Sequence, residues 1–421
     1  MKTVAIIAEY NPFHIGHEYH LKNALELSGA NYSIALMGGN FLQRGQAAMW
    51  DKYTRGSMCV SSGIDLAIEL PFPYATGSAM DFSTGAINII DRLNSVDYLC
   101  FGAETSDITL LEQVASIILD EPDLYKNRLT DYISSGISYP SAREKAIYDY
   151  THNSKYSDIL SLPNNILAIE YICALKKINS TIKPLLVERK TAGYHEDTLR
   201  KGISSATSIR NFLQNCNPEV ATNDVLSHIS DSVSPHVLDI IMSTYNKTSP
   251  VFTDALTPFL QSKLLTIRNL SHICDMTPEL SNKLLNTDLS ATYNEIINSV
   301  KTKNITHSRI SRCLIHLLLD YTEDDRRCFI QDNYAYYANI LCFKKDSSTL
   351  IKSIHESSSI PLITKKADFN DVICSYSDIN TDNAKRMWQL DTDATKLYNC
   401  LIYNSYHTKT PNDYTQKLPI L

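Results

Sequence analysis

The feature that most constrains this chain is an apolar run that breaks into a polar turn and then into a helix at its very start. Met1 to Ala8 (MKTVAIIA) suits one short buried strand. Glu9-Tyr10-Asn11-Pro12-Phe13 supplies the turn at its carboxyl end. His14-Ile15-Gly16-His17 then opens a helix that continues through Tyr19, His20, Leu21, Ala24 and Leu25. A buried strand feeding directly into a helix is the first half of a βαβ unit, which favours an open parallel sheet with helices on both faces.

The pattern repeats along the chain. Tyr32 to Met37 (YSIALM) is a second apolar strand, followed by the loop Gly38-Gly39-Asn40-Phe41-Leu42-Gln43-Arg44-Gly45. Lys52 to Ser62 reads as helix and Ile64 to Leu70 as strand, broken by Pro71-Phe72-Pro73. Ser78 to Leu93 reads as an amphipathic helix with Phe82, Ala86 and Ile89 on one face. Val96 to Phe101 is a fourth strand, turning at Gly102-Ala103-Glu104. Mainly helical sequence follows, with a break at Ser161 to Asn165 before a helix over Ile166 to Lys177. A last strand over Ile182 to Val187 ends at Glu188-Arg189-Lys190, and a loop spans Thr191 to Gly202. Each polar turn lies where ligands of a parallel sheet bind, at the strands' carboxyl ends.

A chain of 421 residues exceeds a single core, and the polar stretch from Asn215 to Asp224 divides it into a sheet domain over 1–215 and a mainly helical region over 216–421. A small mixed α/β segment is expected from about residue 331, with β-like runs at Tyr337 to Phe343 and Leu362 to Thr364. The net charge of -7 gives no global attraction to nucleic acid, so RNA contact requires a local basic face. No DNA partner is expected. The apolar start is too short for a signal peptide and no later run is long enough to span a membrane, so a cytoplasmic protein without membrane contact is expected. The ten cysteines are scattered singly, which suits free thiols rather than a metal framework.

His14, His17 and His20 recur every third residue, and three readings compete: structural histidines, a metal site, or phosphate binding. The spacing is wrong for the helical H-E-x-x-H zinc pair, and no metal ligand is assigned. Phosphate binding suits His14 and His17, because Gly16 allows close approach and a helix amino terminus offers free N–H groups and a favourable dipole. His20 is read as scaffold or a peripheral contact. Ser204-Ser205-Ala206-Thr207-Ser208-Ile209-Arg210 begins a capped helix that offers further hydroxyls and a guanidinium. Taken together, the two segments argue for adenylyl transfer.

These segments, E-Y-N-P-F-H-x-G-H at Glu9 to His17, G-N-F-x-Q-R-G at Gly39 to Gly45, D-L-x-x-E-L-P at Asp65 to Pro71, F-G-A-E at Phe101 to Glu104, P-N-N-I-L at Pro163 to Leu167 and S-A-T-S-I-R at Ser205 to Arg210, resemble the bacterial tRNA(Met) cytidine acetate ligases. The resemblance implies a Rossmann-like nucleotidyltransferase (HIGH-type) parallel-sheet domain followed by a mostly α-helical C-terminal region. It implies an ATP-dependent enzyme that activates acetate to acetyl-adenylate and acetylates N4 of the wobble cytidine of elongator tRNA(Met). ATP is the co-substrate, with Mg2+ as an allowed companion that no motif fixes.

Carried over residue by residue, the resemblance assigns ATP binding to Ile7, Ala8, Glu9, Tyr10, Asn11, Pro12, Phe13, His14, Ile15, Gly16, His17, Glu18, Tyr19 and His20, with Gly102, Asn164, Asn165 and Arg189; which asparagine touches the nucleotide stays open. The chemistry of the residues themselves gives His14, His17 and Arg210 to catalysis and adds Ser205, Thr207 and Ser208 to the ATP contacts. Gln43, Arg44 and Lys52 are candidates for acetate or tRNA contact. The second loop departs from the family by carrying glycines and Asn40 where serines are common. For tRNA, the clearest basic stretch is Lys301, Lys303, His307, Arg309 and Arg312. Two rival readings are a small-molecule adenylyltransferase or carboxylate-amine ligase of the same fold, and an RNA-binding protein without catalysis.

Overall fold

The computed structural model describes residues 1–189, 205–216 and 222–421. Lys190, the loop expected over 191–202, and Ser204 lie outside the described residues. Nine strands are described: β1 (Thr3–Ala8), β2 (Tyr32–Gly38), β3 (Phe41–Leu42), β4 (Gln46–Ala47), β5 (Leu66–Leu70), β6 (Tyr98–Ala103), β7 (Lys183–Glu188), β8 (Ala338–Phe343) and β9 (Leu362–Ile363). Seven form one sheet in the order β7-β6-β1-β2-β5-β8-β9, and β3 and β4 make a separate hairpin. Every neighbouring pair in the large sheet is parallel except β5 with β8.

β1 pairs with β2 on one side (Ala5 opposite Ile34) and with β6 on the other (Ala5 opposite Leu99). The order therefore reverses between β1 and β6, which makes their carboxyl ends a topological switch point where a crevice opens. Strand pleating decides what each face packs. Val4 and Ile6 join Leu21 and Ala24 of helix α1 (Ile15–Ser28) in one apolar cluster, whereas Ala5 faces the other cluster with Phe82, Ala86 and Ile89. Pro163 occupies the first turn of the helix Pro163–Lys177, so the expected break belongs to the helix itself; Pro is tolerated there because a first-turn N–H has no intrahelical partner.

The last ninety residues complete this sheet. Asn339 of β8 pairs with Glu69 of β5, and the chain end returns to pair Leu421 N–H with the Phe343 carbonyl at 3.1 Å. Lys52, a candidate for acetate or tRNA contact, is instead inaccessible. It opens helix α2 (Lys52–Ser61), and its Nζ lies 2.9 Å from Glu69 Oε2 and 2.9 Å from Asp413 Oδ1, fully buried. Burial opposes its charge, but Asp413 and Glu69 hold the ammonium well above its usual range. Asn339 Nδ2 adds a 2.7 Å bond to Glu69, and Tyr53 Oη donates to Asp413 at 2.7 Å. Asn40 is also structural, since its Oδ1 accepts the Lys52 N–H at 2.8 Å. All ten cysteines are free. Among the described residues, no single helix is long and apolar enough to cross a membrane.

Lys52→Met leaves two buried carboxylates without their shared cation, an imbalance that costs about 3–5 kcal/mol in comparable buried pairs. Urea unfolding at pH 7 should register a loss of that size; a loss below about 1 kcal/mol, the value of an exposed pair, would show the triad to be solvated.

Candidate active site

The turn after β1 is held by its neighbours. Tyr10 has a left-handed φ of 49°, and the Asn11–Pro12 bond is cis. Asn11 Oδ1 accepts the Met49 N–H at 2.8 Å. Arg55 of α2 lies beneath, fully buried, donating to the Glu9 carbonyl at 2.6 Å, to the Trp50 carbonyl at 2.9 Å, and to the Gly38 and Gly39 carbonyls. Arg55 therefore joins the carboxyl ends of β1 and β2.

On this base the two motif histidines cap their own helix. His14 is the N-cap of α1, and its Nδ1 accepts the Gly16 N–H at 3.0 Å; His17 Nδ1 accepts the His14 N–H at 3.2 Å. The rings are 3.9 Å apart between centroids. With both Nδ1 atoms accepting, each neutral imidazole must carry its proton on Nε2, so each presents one N–H donor. Burial, followed by the charges of Arg189 and Arg210, lowers His14 to about 3. Burial and the other two histidines hold His17 well below its usual range, and burial with Arg189 lowers His20 to about 4. Gly16 has a role the motif alone did not disclose: a Cβ there would lie 2.7 Å from His14 Cε1, so the glycine makes room for the capping ring. His20 Nε2 lies 3.5 Å from Cys100 Sγ.

The facing wall comes from β6, β7 and the helix Pro163–Lys177. Gly102, next to last in β6, lies beside Arg189, whose Cγ would be 3.1 Å from a Cβ at that position. The Arg189 side chain is exposed and donates to Asn164 Oδ1 at 3.3 Å. The two asparagines separate clearly. Asn165 is buried, and its Oδ1 accepts the N–H groups of Glu104 at 2.9 Å and Thr105 at 3.1 Å, which fixes the turn after β6. Asn164 is half-buried, donates to Glu104 Oε1 at 2.6 Å and reaches Arg189.

The serine-rich helix Ala206–Asn215 completes the set. Ser205 is its N-cap and accepts the Ser208 N–H at 3.1 Å; the buried Ser208 hydroxyl returns to the Ser205 carbonyl at 2.8 Å. Thr207 Oγ1 accepts from Arg210 Nη2 at 3.0 Å, while Arg210 Nη1 donates to the Asn11 carbonyl at 2.8 Å. These hydroxyls hold the helix start and aim Arg210 at the β1 turn. Burial lowers the Arg210 guanidinium from its usual range; Glu9 opposes that shift and Arg44 adds to it. Ile7 and Ala8 end β1, half-buried; Ile15 and Glu18 lie half-buried in the first turn of α1, and Tyr19 is exposed.

Sequence reasoning missed Arg55 and the bond from the Gln43 N–H to Glu9 Oε1 at 2.9 Å. The only signal for Arg55 was a charged residue inside an otherwise buried helix, because its partners are carbonyls from three separate segments. The basic stretch divides in two. Lys301 and Lys303 are exposed, but Arg309 donates to the Asp275 carbonyl at 3.2 Å, and Arg312, 13% exposed, pairs with Asp275 at 3.8 Å.

Residues 1–413 match the family model described as HIGH Nucleotidyl Transferase. The tRNA(Met) cytidine acetate ligase of Acetivibrio thermocellus is 36% identical over 426 residues, covering all of both chains. The protein of the same name from a Thermoanaerobacter species is 37% identical over 410 residues, covering 96% of each. Among solved structures, Thermotoga maritima TmcAL bound with alpha-thio ATP covers all of both chains with a TM-score of 0.90 at 28% identity. The likeness thus runs from end to end over a HIGH-type Rossmann-like sheet and a helical carboxyl-terminal region: the chain belongs to the HIGH nucleotidyl transferase family, among the tRNA(Met) cytidine acetate ligases.

Proposed function

We propose that this enzyme uses ATP to activate acetate as acetyl-adenylate and then acetylates N4 of the wobble cytidine of elongator tRNA(Met). An acetate oxygen attacks the α-phosphorus, the bond to the β-phosphate bridging oxygen breaks, and pyrophosphate leaves. The cytidine amine then attacks the acetyl carbon, loses a proton, and AMP departs. Both reactants of the first step are anions, so the site must offset repulsion while aligning them.

One observation carries this reading: two neutral imidazoles, His14 buried and His17 half-buried, whose Nδ1 atoms are occupied, leaving two Nε2–H donors at the amino end of α1. His14 and His17 are assigned to the α-phosphate oxygens, where charge grows as pyrophosphate leaves. Arg189 and Arg210 are assigned to the outer phosphates. Of the asparagine pair, Asn164 is assigned to the nucleotide, since Asn165 is spent on the turn after β6. Ser205, Thr207 and Ser208 support this wall mainly through the helix start and Arg210. A small-molecule adenylyltransferase could use the same crevice, but the match to the ligases extends over the whole chain. For the RNA, Lys301 and Lys303 are the accessible cations, with Arg309 and Arg312 behind them.

Purified protein supplied with ATP, labelled acetate and a tRNA(Met) transcript should yield labelled N4-acetylcytidine. Acetyl-AMP without RNA product would point to small-molecule chemistry, and neither product to a binding protein. His17→Ala should lower acetyl-AMP formation by roughly 100-fold or more, the usual value of a lost transition-state donor, while tRNA affinity measured by filter binding stays within about twofold of the parent; equal loss of both would make His17 structural. Charge reversal of Lys301 and Lys303 should weaken tRNA binding in the same assay with adenylate formation preserved, and unchanged affinity would remove that face.

The histidines also set a pH dependence. Above 6.5 they are neutral whether the chain is folded or not, so they add no slope. As pH falls from 6.5 toward 4, the unfolded chain binds protons that His14 and His20, held at about 3 and about 4, refuse. Unfolding free energy should therefore fall across that window, and the double variant His14→Gln, His20→Gln should show a shallower slope in denaturant titrations at pH 7, 5.5 and 4.5. Parallel slopes would mean these rings are not protected from protonation.

A further inference from the structure

The tip of the β3–β4 hairpin sits between the crevice and the basic helix. Leu42-Gln43-Arg44-Gly45 forms a turn closed by the Gly45 N–H to the Leu42 carbonyl at 2.8 Å. Its flanks are anchored in opposite directions. The Gln43 N–H donates to Glu9 Oε1 at 2.9 Å, in the turn that opens the crevice. The Gly45 carbonyl accepts from Ser311 Oγ of the helix His307–Leu318. Gly45 has a φ of +72°, and a Cβ there would meet the Arg312 backbone nitrogen, so only glycine preserves this contact.

Consecutive Cα atoms are about 3.8 Å apart, so the Arg44 backbone is held one residue from each anchor. Its side chain is exposed. On one side lies Arg210, close enough for Arg44 to disfavour its charge; on the other is the helix approached through the exposed Lys301 and Lys303. Glu9 offsets part of the positive charge on Arg210, but its Oε1 is taken by the Gln43 N–H on the inner side of the turn, which leaves the exposed Arg44 guanidinium facing solvent, where an anion can reach it.

We infer that Arg44 holds a phosphodiester of the acceptor RNA as the strand passes from the Lys301 and Lys303 surface into the crevice. This rests on the ligase reading and adds a positioning residue to it. An exposed guanidinium suits a phosphate that arrives from solvent, because its planar fork can bond two phosphate oxygens at once. Acetate requires a place against the α-phosphate, which lies on the inner side of the turn with the capped histidines. A backbone contact orients the strand without reading bases, so Arg44 affects every RNA of the right shape alike.

The test compares the parent, Arg44→Ala and Arg44→Lys in filter binding of a tRNA(Met) transcript across a salt series, beside acetyl-AMP formation without RNA. Arg44→Ala should weaken RNA binding roughly tenfold, as for one charge-assisted hydrogen bond. It should also flatten the plot of log affinity against log salt by about 0.7, the share of one single-stranded phosphate. Arg44→Lys should restore the slope but only part of the affinity, since lysine keeps the charge without the fork. Acetyl-AMP formation should hold in both variants. Unchanged affinity and slope would overturn the inference. A fall in acetyl-AMP formation without RNA would also overturn it, placing Arg44 on acetate or pyrophosphate. Failure of the parent protein to make either acetyl-AMP or N4-acetylcytidine is a separate result that removes the ligase reading, and this inference with it.

Discussion

A single buried guanidinium organises the reactive end of this molecule. Arg55 donates to the carbonyls of Glu9, Gly38, Gly39 and Trp50, and so ties the ends of β1 and β2 to the segment leading into α2. The histidines and Arg210, on this wall of the crevice, depend on the backbone it holds. Asn11, two residues past Glu9, carries the carbonyl that orients Arg210, and His14 begins α1 three residues later. One turn earlier on α2, Lys52 joins the same region to the distant carboxyl terminus through Glu69 and Asp413. Removing either cation would leave buried acceptors without donors, which costs more than the net worth of the bonds themselves.

The histidine pair divides its ring atoms between structure and the proposed chemistry. Capping uses Nδ1 of both rings, and that choice fixes the proton on Nε2. Burial beside two arginines keeps the rings uncharged, so in the proposed reaction they meet negative charge as hydrogen-bond donors while the arginines supply the positive charge. Gly16 belongs to this arrangement because it accommodates the folded-back His14 ring.

The carboxyl-terminal half contributes to the catalytic half in two ways. β8 adds an antiparallel strand to the parallel sheet, which keeps its far side paired and buried. The helix His307–Leu318 receives the hairpin tip through Gly45, so the second loop is shaped by a residue 266 positions away. A loop positioned from both sides holds its exposed side chain in a defined place, which is what contact with a long, flexible substrate requires.

The sequence by itself determined the parallel strands, their order of alternation with helices, the polar turns at their ends and the motif residues of the crevice. These depend on local periodicity and on short spacings, which neighbouring residues specify. Phe82, Ala86 and Ile89 were legible as one buried face for that reason, as were β1, β2, β5, β6 and β7. Only the tertiary structure decided that Lys52 is an internal ion-pair partner, that Asn165 holds a turn while Asn164 faces Arg189, and that the last strands join the first sheet. Each of those outcomes depends on partners far away in sequence, such as Asp413 for Lys52, Glu104 for the asparagines and Glu69 for Asn339. Charge and polarity mark a residue as needing partners; which partners it finds is set by how the chain closes on itself.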